Sequence, residues 1–228
     1  MHAVRNILDI VLAAYLVAMF PVLQLRASLQ KREARPPSQR LQRAFLLIGG
    51  PLVILFADWI MNGRSPASLG LDIPLSLSGK IGLLIGCVAV VALLSGEAFF
   101  RRTPKQNAEL GSRLSEAGLI AATPDDLAYS VVLALLIGCG TELLFRGFLY
   151  GFFAPLIGQI GALVVAALAY GLGHGSRTTG QAVGSVVSAF AFTIAFALTG
   201  SLWWLMLVHT AVGLSGLWWG YRLASSRG

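Results

Sequence analysis

Seven long apolar segments constrain the fold of this chain more than any other feature. A helix needs about 20 apolar residues to cross about 30 Å of hydrocarbon, because every backbone polar group in a bilayer must be paired internally. Charged residues make up 12% and hydrophobic residues 56% of the chain, whereas a soluble domain has about a quarter charged residues. These values exclude a soluble globular domain and a disordered chain. The sequence therefore predicts an all-α polytopic membrane bundle of about seven transmembrane helices. The predicted spans are Ile7–Leu25, Leu41–Met61, Ile81–Phe100, Leu127–Phe153, Ile157–His174, Ala182–Leu198 and Leu202–Tyr221.

The basic residues predict the orientation of the bundle. The chain has 17 Lys and Arg residues against 10 acids, a net charge of +7. Thirteen of the basic residues lie in the connections after the first, third, fifth and seventh spans, or at the adjoining span ends, and three lie on the other side. Because basic loops stay in the cytoplasm, we expect the amino terminus outside and the carboxyl terminus inside. The charge excess thus indicates a lipid bilayer as partner and no nucleic acid.

The connections between spans predict how the chain is divided. Residues 1–65 form an N-terminal transmembrane pair with a basic loop, and residues 66–228 form the main membrane domain. The polar connection Thr103–Asp126 is long enough for a short surface helix. Gly82 and Gly86 lie one turn apart in the third span, a spacing that allows a close contact between helices.

A few ionisable residues lie inside the predicted spans, where charges are costly and often functional. Asp9 and Asp58 lie near predicted outer span ends, which favours a structural or surface role. Glu142 and Arg146 lie deep in the fourth span, and their i,i+4 spacing places them on one helical face. The arginine favours the ionised form of the glutamate. Two interpretations remain open for this pair: an ion pair that fixes helix packing, and part of a functional site.

Two histidines complete the set of candidate site residues. His174 ends the fifth span and His209 lies near the middle of the seventh; by residue count, Glu142 and His209 are both close to mid-membrane. Two histidines and a glutamate are also a ligand set for catalytic zinc. The compact His-Glu-x-x-His motif is absent, so zinc is a candidate by residue type alone and the spacing predicts no cofactor.

The order of these motifs resembles the CAAX prenyl protease and bacteriocin-processing family, called CPBP or ABI, a family of intramembrane proteases. The resemblance covers about Leu127–Leu217. It implies an endopeptidase that hydrolyses peptide bonds of membrane proteins or lipidated peptides with water activated by Glu and His, in a bacterial cytoplasmic membrane. The matching motifs are Glu142-x-x-x-Arg146-Gly, then Tyr170-x-x-x-His174, then Ser-Leu-Trp with His209 seven residues after that Leu.

The chain departs from the family pattern at two positions. Thr141 stands where the family has the first of two adjacent glutamates, and Gly213 stands where it has an asparagine. The resemblance implies that the first glutamate and the histidine at His174 activate water, and that the histidine at His209 and the asparagine stabilise the oxyanion. A threonine hydroxyl is no carboxylate base, and losing one oxyanion donor costs about 10²–10³ in rate.

Three functions are compatible with these residues. In an active endopeptidase, Glu142 or His174 acts as general base, His209 polarises the scissile carbonyl, and Arg146 holds Glu142 ionised. A catalytically degenerate relative binds membrane partners without cleaving them. In a small transporter component, the same ionisable groups line a polar path.

Overall fold

Helices account for nearly all of the chain that the computed structural model describes, which is residues 6–29, 36–73, 75–99, 103–116, 123–175 and 178–225. This described part contains no strand, which confirms the all-α prediction. Eight of the basic residues lie outside it: Arg5, Lys31, Arg32, Arg35, Arg101, Arg102, Arg177 and Arg227. The helices are α1 (Ile7–Ala14, a π-helical turn at Tyr15–Met19, and Phe20–Leu29), α2 (Pro37–Ala44, a π-helical turn at Phe45–Gly49, and Gly50–Met61), α3 (Leu77–Phe99) and α4 (Pro104–Glu116).

The next helical stretch, Pro124–Gly173, contains the predicted fourth and fifth spans in one run of 50 residues. A straight helix of that length measures about 75 Å, far more than one bilayer. The run is divided at Gly158, whose φ of 76° and ψ of 166° are not helical. We call the limb before Gly158 α5 and the limb after it α6. The predicted gap between these spans, residues 154–156, is thus wrong by a few residues. Two helices follow: α7 (Thr179–Thr199) and α8 (Trp203–Ser225).

Five of the described stretches are long and apolar enough to cross a membrane. The helix α8 was also predicted to span; it has 23 residues and is not among the five. The short helix α4 lies in the polar connection where a surface helix was predicted. The number of spans is therefore about seven when α8 and both limbs of the divided stretch are included. The five stretches are Ile7–Ser28, Pro37–Met61, Leu77–Ser95, Pro124–Gly173 and Thr179–Thr199.

The N-terminal helices share the core of the main bundle. The ring of Phe20 in α1 lies 5.5 Å from the ring of Phe145 in α5, and the Tyr15 hydroxyl donates to the carbonyl of Leu47 in α2 at 2.9 Å. The predicted division at residue 65 therefore separates two parts that pack on one another. The largest apolar cluster includes buried Leu16, Leu55, Leu144, Leu149, Ala166 and Ala167.

Glycines allow the closest approaches between helices, as predicted for the third span. A Cβ on Gly82 would lie 2.6 Å from Nε1 of Trp204, and one on Gly86 would lie 3.3 Å from its Cβ. The helices α3 and α8 therefore meet at this tryptophan. In the same way, a Cβ on Gly138 in α5 would lie 2.3 Å from Oγ1 of Thr210 in α8, so α5 also packs tightly against α8, next to His209.

Arg64, Asp9 and Asp58 form an ionic cluster at one end of the bundle. The sequence did not predict this cluster. Arg64 follows α2, and its guanidinium lies 2.6 Å from Oδ2 of Asp9 and 3.1 Å from Oδ2 of Asp58. Both aspartates are buried, and the side-chain amide of Asn6 also donates to Asp58. The structural role expected for these aspartates is confirmed, whereas surface exposure is not. The connection after Arg64 reaches α8, since the amide of Leu202 donates to the carbonyl of Gly70 at 2.8 Å.

Candidate active site

Glu142 and Arg146 lie where the geometry of α5 changes from α-helical to π-helical. The α-helical part ends at Glu142, and the π-helical part is Leu143–Tyr150. Wide turns of this kind are rare and often occur at functional sites. Both side chains are fully buried, and Nη1 of Arg146 donates to Oε1 of Glu142 at 3.3 Å. The predicted i,i+4 contact is therefore present.

Arg146 connects three helices through its remaining contacts. Its Nε donates to Oγ1 of Thr193 at 3.3 Å and its Nη2 donates to the carbonyl of Ala189 at 3.3 Å, both in α7. Its guanidinium also stacks on the ring of Tyr170 in α6, with Cζ 4.1 Å from the ring centroid. A buried cation of this kind needs such contacts, because an unpaired charge in an apolar interior is very costly.

His209 in α8 is the second partner of Glu142. Its Nδ1 lies 2.8 Å from Oε1 of the glutamate, and its Nε2 lies 3.3 Å from the hydroxyl of Tyr170. The imidazole is 17% exposed, whereas Glu142 is not exposed at all. His209 is therefore the member of this group that a molecule outside the bundle can approach.

The chemistry of the partners assigns the tautomer of His209. Glu142 forms a salt bridge with Arg146, and a carboxylate in such a pair only accepts hydrogen bonds. Nδ1 therefore carries the hydrogen that Glu142 accepts, and in the neutral imidazole Nε2 is the acceptor for the Tyr170 hydroxyl. The other oxygen of Glu142, Oε2, is buried and has no hydrogen-bond partner among the described residues.

His174 lies on the other side of the same tyrosine. It follows the last residue of α6, its side chain is exposed, and its ring centroid is 5.6 Å from that of Tyr170. The ring of His209 is 6.1 Å from Tyr170. The two histidines, which are 35 positions apart in the chain, thus contact one tyrosine ring, and the structure brings all four predicted site residues into one cluster.

Thr141 and Gly213, the two positions that depart from the family pattern, both make structural contacts in the bundle. The hydroxyl of Thr141 donates to the carbonyl of Ile137 at 2.7 Å, within its own helix. A Cβ on Gly213 would lie 3.3 Å from the Cβ of Ala134 in α5, which is tighter than most van der Waals contacts. Thr141 is therefore not free to act as a base, and glycine at 213 lets α8 approach α5.

The donor set does not fit a zinc ion. Among the described residues, no group of three or more His, Cys, Asp or Glu side chains could hold a metal. Within the cluster, Glu142 and His209 contact each other directly, and the Arg146 cation already interacts with the carboxylate. A zinc site needs three or four ligand atoms around an open position, so we derive no step from a metal.

Sequence reasoning missed three parts of the site. The hydroxyl of Tyr170 contacts His209, and Thr193 with the carbonyl of Ala189 binds Arg146. Tyr170 was noted only as the aromatic residue of a motif. A single threonine in an apolar span carries no signal of its own, because it can donate to the preceding helical turn, as Thr193 also does to Ala189.

The comparison with protein families agrees with the motifs. Residues 123–215 match the model of a family described as type II CAAX prenyl endopeptidase Rce1-like. This part of the chain contains the four predicted site residues, Tyr170 and Thr193. No curated protein and no solved structure matches the chain. The family-model match therefore confirms the resemblance stated from the motifs, for this part of the chain.

Proposed function

Because residues 123–215 match the Rce1-like endopeptidase family, we propose that this protein is an intramembrane endopeptidase that cleaves membrane-associated polypeptides. The observation that carries the proposal is the Glu142–His209 pair, in which a buried carboxylate accepts a hydrogen bond from an imidazole that remains partly exposed. Such a pair is a general base, because the carboxylate orients the imidazole and stabilises it when it takes up a proton.

The sequence suggested Glu142 or His174 as the base and His209 as the group that polarises the scissile carbonyl. We assign the contact with water to His209 instead of Glu142. Glu142 is fully buried, and its Oε1 already accepts hydrogen bonds from Arg146 and His209. In the proposed reaction, the Tyr170 hydroxyl first turns away from Nε2 of His209, and Nε2 then takes a proton from water as the water oxygen attacks the scissile carbonyl. The imidazolium then returns this proton to the leaving amine. Arg146 stays in contact with Glu142 throughout.

His174 is the second exposed imidazole of the cluster. His174 and His209 both contact the ring of Tyr170, so a substrate bound between these two histidines can reach both. We assign His174 to orienting the scissile amide. Each histidine is then required for the rate, while the buried ion pair is also required for the fold.

An apolar crevice favours a substrate that enters the site from the membrane. It has a volume of about 710 Å³ and lies between α3, α5 and α8. Its wall includes Cys139, one turn before Glu142, and Thr210, which follows His209 in the chain. A lipid chain or an apolar polypeptide segment fits walls of this composition.

The test is hydrolysis by the purified protein in liposomes. We would use two quenched fluorescent peptides as probes, one ending in a prenylated cysteine and one containing an apolar transmembrane segment. The chain has three histidines, so His209→Ala and His174→Ala can be compared with His2→Ala as a matched control. We expect cleavage by wild type and the His2 variant, and a loss of at least about 10²-fold in the other two. Cleavage that persists in both site variants would refute the proposal.

A second candidate function is favoured by the two departures from the motif. Because Thr141 donates to Ile137 and Gly213 packs on Ala134, the chain also suits a degenerate relative that binds membrane partners without cleaving them. This function predicts no hydrolysis by wild type and unchanged partner binding in the histidine variants. Thr141→Glu and Gly213→Asn would be combined with Ala134→Gly, which makes room for the asparagine. Gain of cleavage in this variant would indicate an active site that has lost its catalytic residues.

A further inference from the structure

The apolar crevice between α3, α5 and α8 is about as deep as one leaflet of a bilayer. Along α5 its wall extends from Leu127 to Cys139, which corresponds to about 18 Å of helix. One leaflet contains about 15 Å of hydrocarbon, half of the bilayer core. The volume of about 710 Å³ lies within the range of about 300–1,000 Å³ that is usual for small-molecule sites. The crevice therefore has the dimensions to hold one lipid chain.

The apolar walls alone do not make the crevice a specific site. They include side chains such as Val131, Leu135 and Leu214, which are no more apolar than the lipid tails around the protein. An acyl chain therefore gains little free energy when it moves from the bilayer into the crevice. A lipid that stays there needs polar contacts where the crevice reaches the membrane surface.

Arg222 provides a cation at that level on α8. Its guanidinium stacks on the ring of Trp218, with Cζ 5.3 Å from the ring centroid, and Trp218 is part of the crevice wall. Arg222 is exposed and lies in the last turn of α8. Tryptophan and arginine near the end of a membrane helix are typical of the headgroup region.

The packing of α5 on α8 fixes which residues of α5 lie at the same level. Gly138 meets Thr210, and Gly213 meets Ala134, so the two helices run antiparallel. Continuing this register brings the first turn of α5 to the level of the last turn of α8.

The first turn of α5 contains two acidic residues, Asp125 and Asp126. Asp126 is level with Arg222, is half-buried, and directly precedes Leu127 in the wall of the crevice. At the membrane surface, the α5 side of the crevice is therefore negative and the α8 side is positive.

We propose that the crevice binds one phospholipid whose headgroup contains a phosphate and a primary ammonium, as in phosphatidylethanolamine. One acyl chain lies in the crevice, the phosphate accepts hydrogen bonds from Arg222, and the ammonium donates to Asp126. Such charge-assisted hydrogen bonds are the strong ones. Phosphatidylglycerol has no cation for Asp126, and the quaternary ammonium of phosphatidylcholine has no N–H to donate.

This inference goes beyond the proposed function, because lipid binding does not depend on hydrolysis. The two are related in space, since Cys139 in the wall lies one turn before Glu142. A peptide substrate that enters through the crevice must therefore displace the lipid.

The first test is native mass spectrometry of the full-length protein in detergent. The probes are phosphatidylethanolamine, phosphatidylcholine and phosphatidylglycerol with identical acyl chains. We expect wild type to bind one phosphatidylethanolamine about tenfold more tightly than either of the others, the effect of one further charge-assisted hydrogen bond. Asp126→Asn should lower its affinity to that of phosphatidylcholine, and Arg222→Gln should weaken both. The control Arg26→Gln removes an exposed arginine in the last turn of α1 and should change neither.

A larger side chain at Ala211 tests whether the acyl chain lies in the crevice. Ala211 is part of the wall, so Ala211→Phe places a ring in the space that the chain needs. Val212→Phe is the matched control, because Val212 is exposed and is not one of the residues that line the crevice. We expect Ala211→Phe to lose the preference for phosphatidylethanolamine and Val212→Phe to keep it.

The thiol of Cys139 gives a second measurement that needs no bulky substitution. The chain has two cysteines, so Cys87→Ala leaves Cys139 as the only one. We expect phosphatidylethanolamine to slow its reaction with N-(1-pyrenyl)maleimide more than the same concentration of phosphatidylcholine does. Asp126→Asn should remove this difference.

The possible results separate the parts of the proposal. Equal affinities of wild type for the three lipids overturn the headgroup contacts, and tighter binding of phosphatidylglycerol overturns the role of Asp126. A preference that persists in Ala211→Phe, together with no protection of Cys139, overturns the crevice as the site of the acyl chain. Because neither measurement involves hydrolysis, a failure of the proposed protease activity would leave these results unchanged.

Discussion

Glu142 and His209 lie 67 positions apart in the chain and share a hydrogen bond of 2.8 Å between Oε1 and Nδ1. The same carboxylate oxygen accepts from Arg146 at 3.3 Å. One buried oxygen therefore connects the ion pair of α5 to the histidine of α8. The predictions below follow from this connection and from the contacts that hold the helices around it.

Loss of the carboxylate at Glu142 should destabilise the protein. Glu142→Gln leaves the fully buried guanidinium of Arg146 without an anion, and breaking a buried pair costs about 3–5 kcal/mol. We expect a lower melting temperature in detergent, partly recovered by adding Arg146→Met, which removes the stranded charge. Glu109→Gln on the exposed face of α4 is the control and should stay within about 0.5 kcal/mol of wild type. Equal losses in the two glutamine variants would contradict the prediction.

Thr193 should contribute through its hydroxyl and not through its volume. Thr193→Val keeps the shape but leaves Nε of Arg146 without its acceptor, at a cost of about 1–3 kcal/mol. Thr193→Ser keeps the hydroxyl and loses one methyl group, which costs about 1 kcal/mol. Denaturant unfolding of the two variants should therefore rank serine above valine. The reverse order would show that Arg146 does not depend on this oxygen.

Arg64 should stabilise the end of the bundle that contains Asp9 and Asp58. Arg64→Gln leaves two buried carboxylates facing each other without a cation, and we expect a loss of about 3 kcal/mol, measured as thermal unfolding. Asp9→Asn with Asp58→Asn should restore most of it in the Arg64→Gln background, because the uncompensated charges are then gone. Lys80→Gln, an exposed cation in α3, should have little effect; a matching loss there would point to net charge instead.

Gly138 should be intolerant of a side chain. Gly138→Ala places a Cβ 2.3 Å from Oγ1 and 2.8 Å from the backbone of Thr210, so α5 and α8 must separate next to His209. We expect a loss of about 1–3 kcal/mol in stability and a loss of any His209-dependent hydrolysis. Gly184→Ala in α7 meets nothing within 4 Å and should stabilise by up to about 1 kcal/mol. Similar effects of the two alanines would refute the close contact.

The proposed orientation can be tested with single cysteines. The background variant replaces Cys87 and Cys139 with alanine, and Ser65→Cys or Thr178→Cys then adds one thiol at opposite ends of the bundle. Both positions are exposed. With the amino terminus outside, a membrane-impermeant maleimide added to intact cells should label position 65 and not 178, since the positive-inside rule places the loop at 178 in the cytoplasm. The opposite labelling would reverse the orientation.

The helices were largely predictable because their signals are local. Length and apolar content identified all seven segments as helical, since a chain in a bilayer has few other ways to pair its backbone. The break at Gly158 was missed by a few residues, because it lies inside an apolar run. The π-helical part Leu143–Tyr150 carries no sequence signal that we recognised. Its hydrogen-bond pattern depends on the packing of neighbouring helices, which no local pattern encodes.

The site was predictable to a different extent for each residue. The spacing of Glu142 and Arg146 fixed their contact, because residues four apart lie on one face of any helix. The motif order added His174 and His209 through the family resemblance. Neither source assigned a role to the Tyr170 hydroxyl or to Thr193, whose partners lie in other helices, and neither placed Arg64 between its two aspartates.

The sequence by itself thus determined a helical membrane bundle, the ionisable residues inside its spans, and their resemblance to a protease family over about Leu127–Leu217. Only the tertiary structure decided that His209 binds Glu142 through Nδ1 and faces Tyr170 through Nε2. It also decided that the hydroxyl of Thr141 donates to the carbonyl of Ile137 in its own helix. The reason is physical: helix formation and apolar burial depend on neighbours in sequence, whereas hydrogen bonds between side chains depend on the rotation and depth of whole helices. Those are set by packing, at contacts such as Gly138 against Thr210.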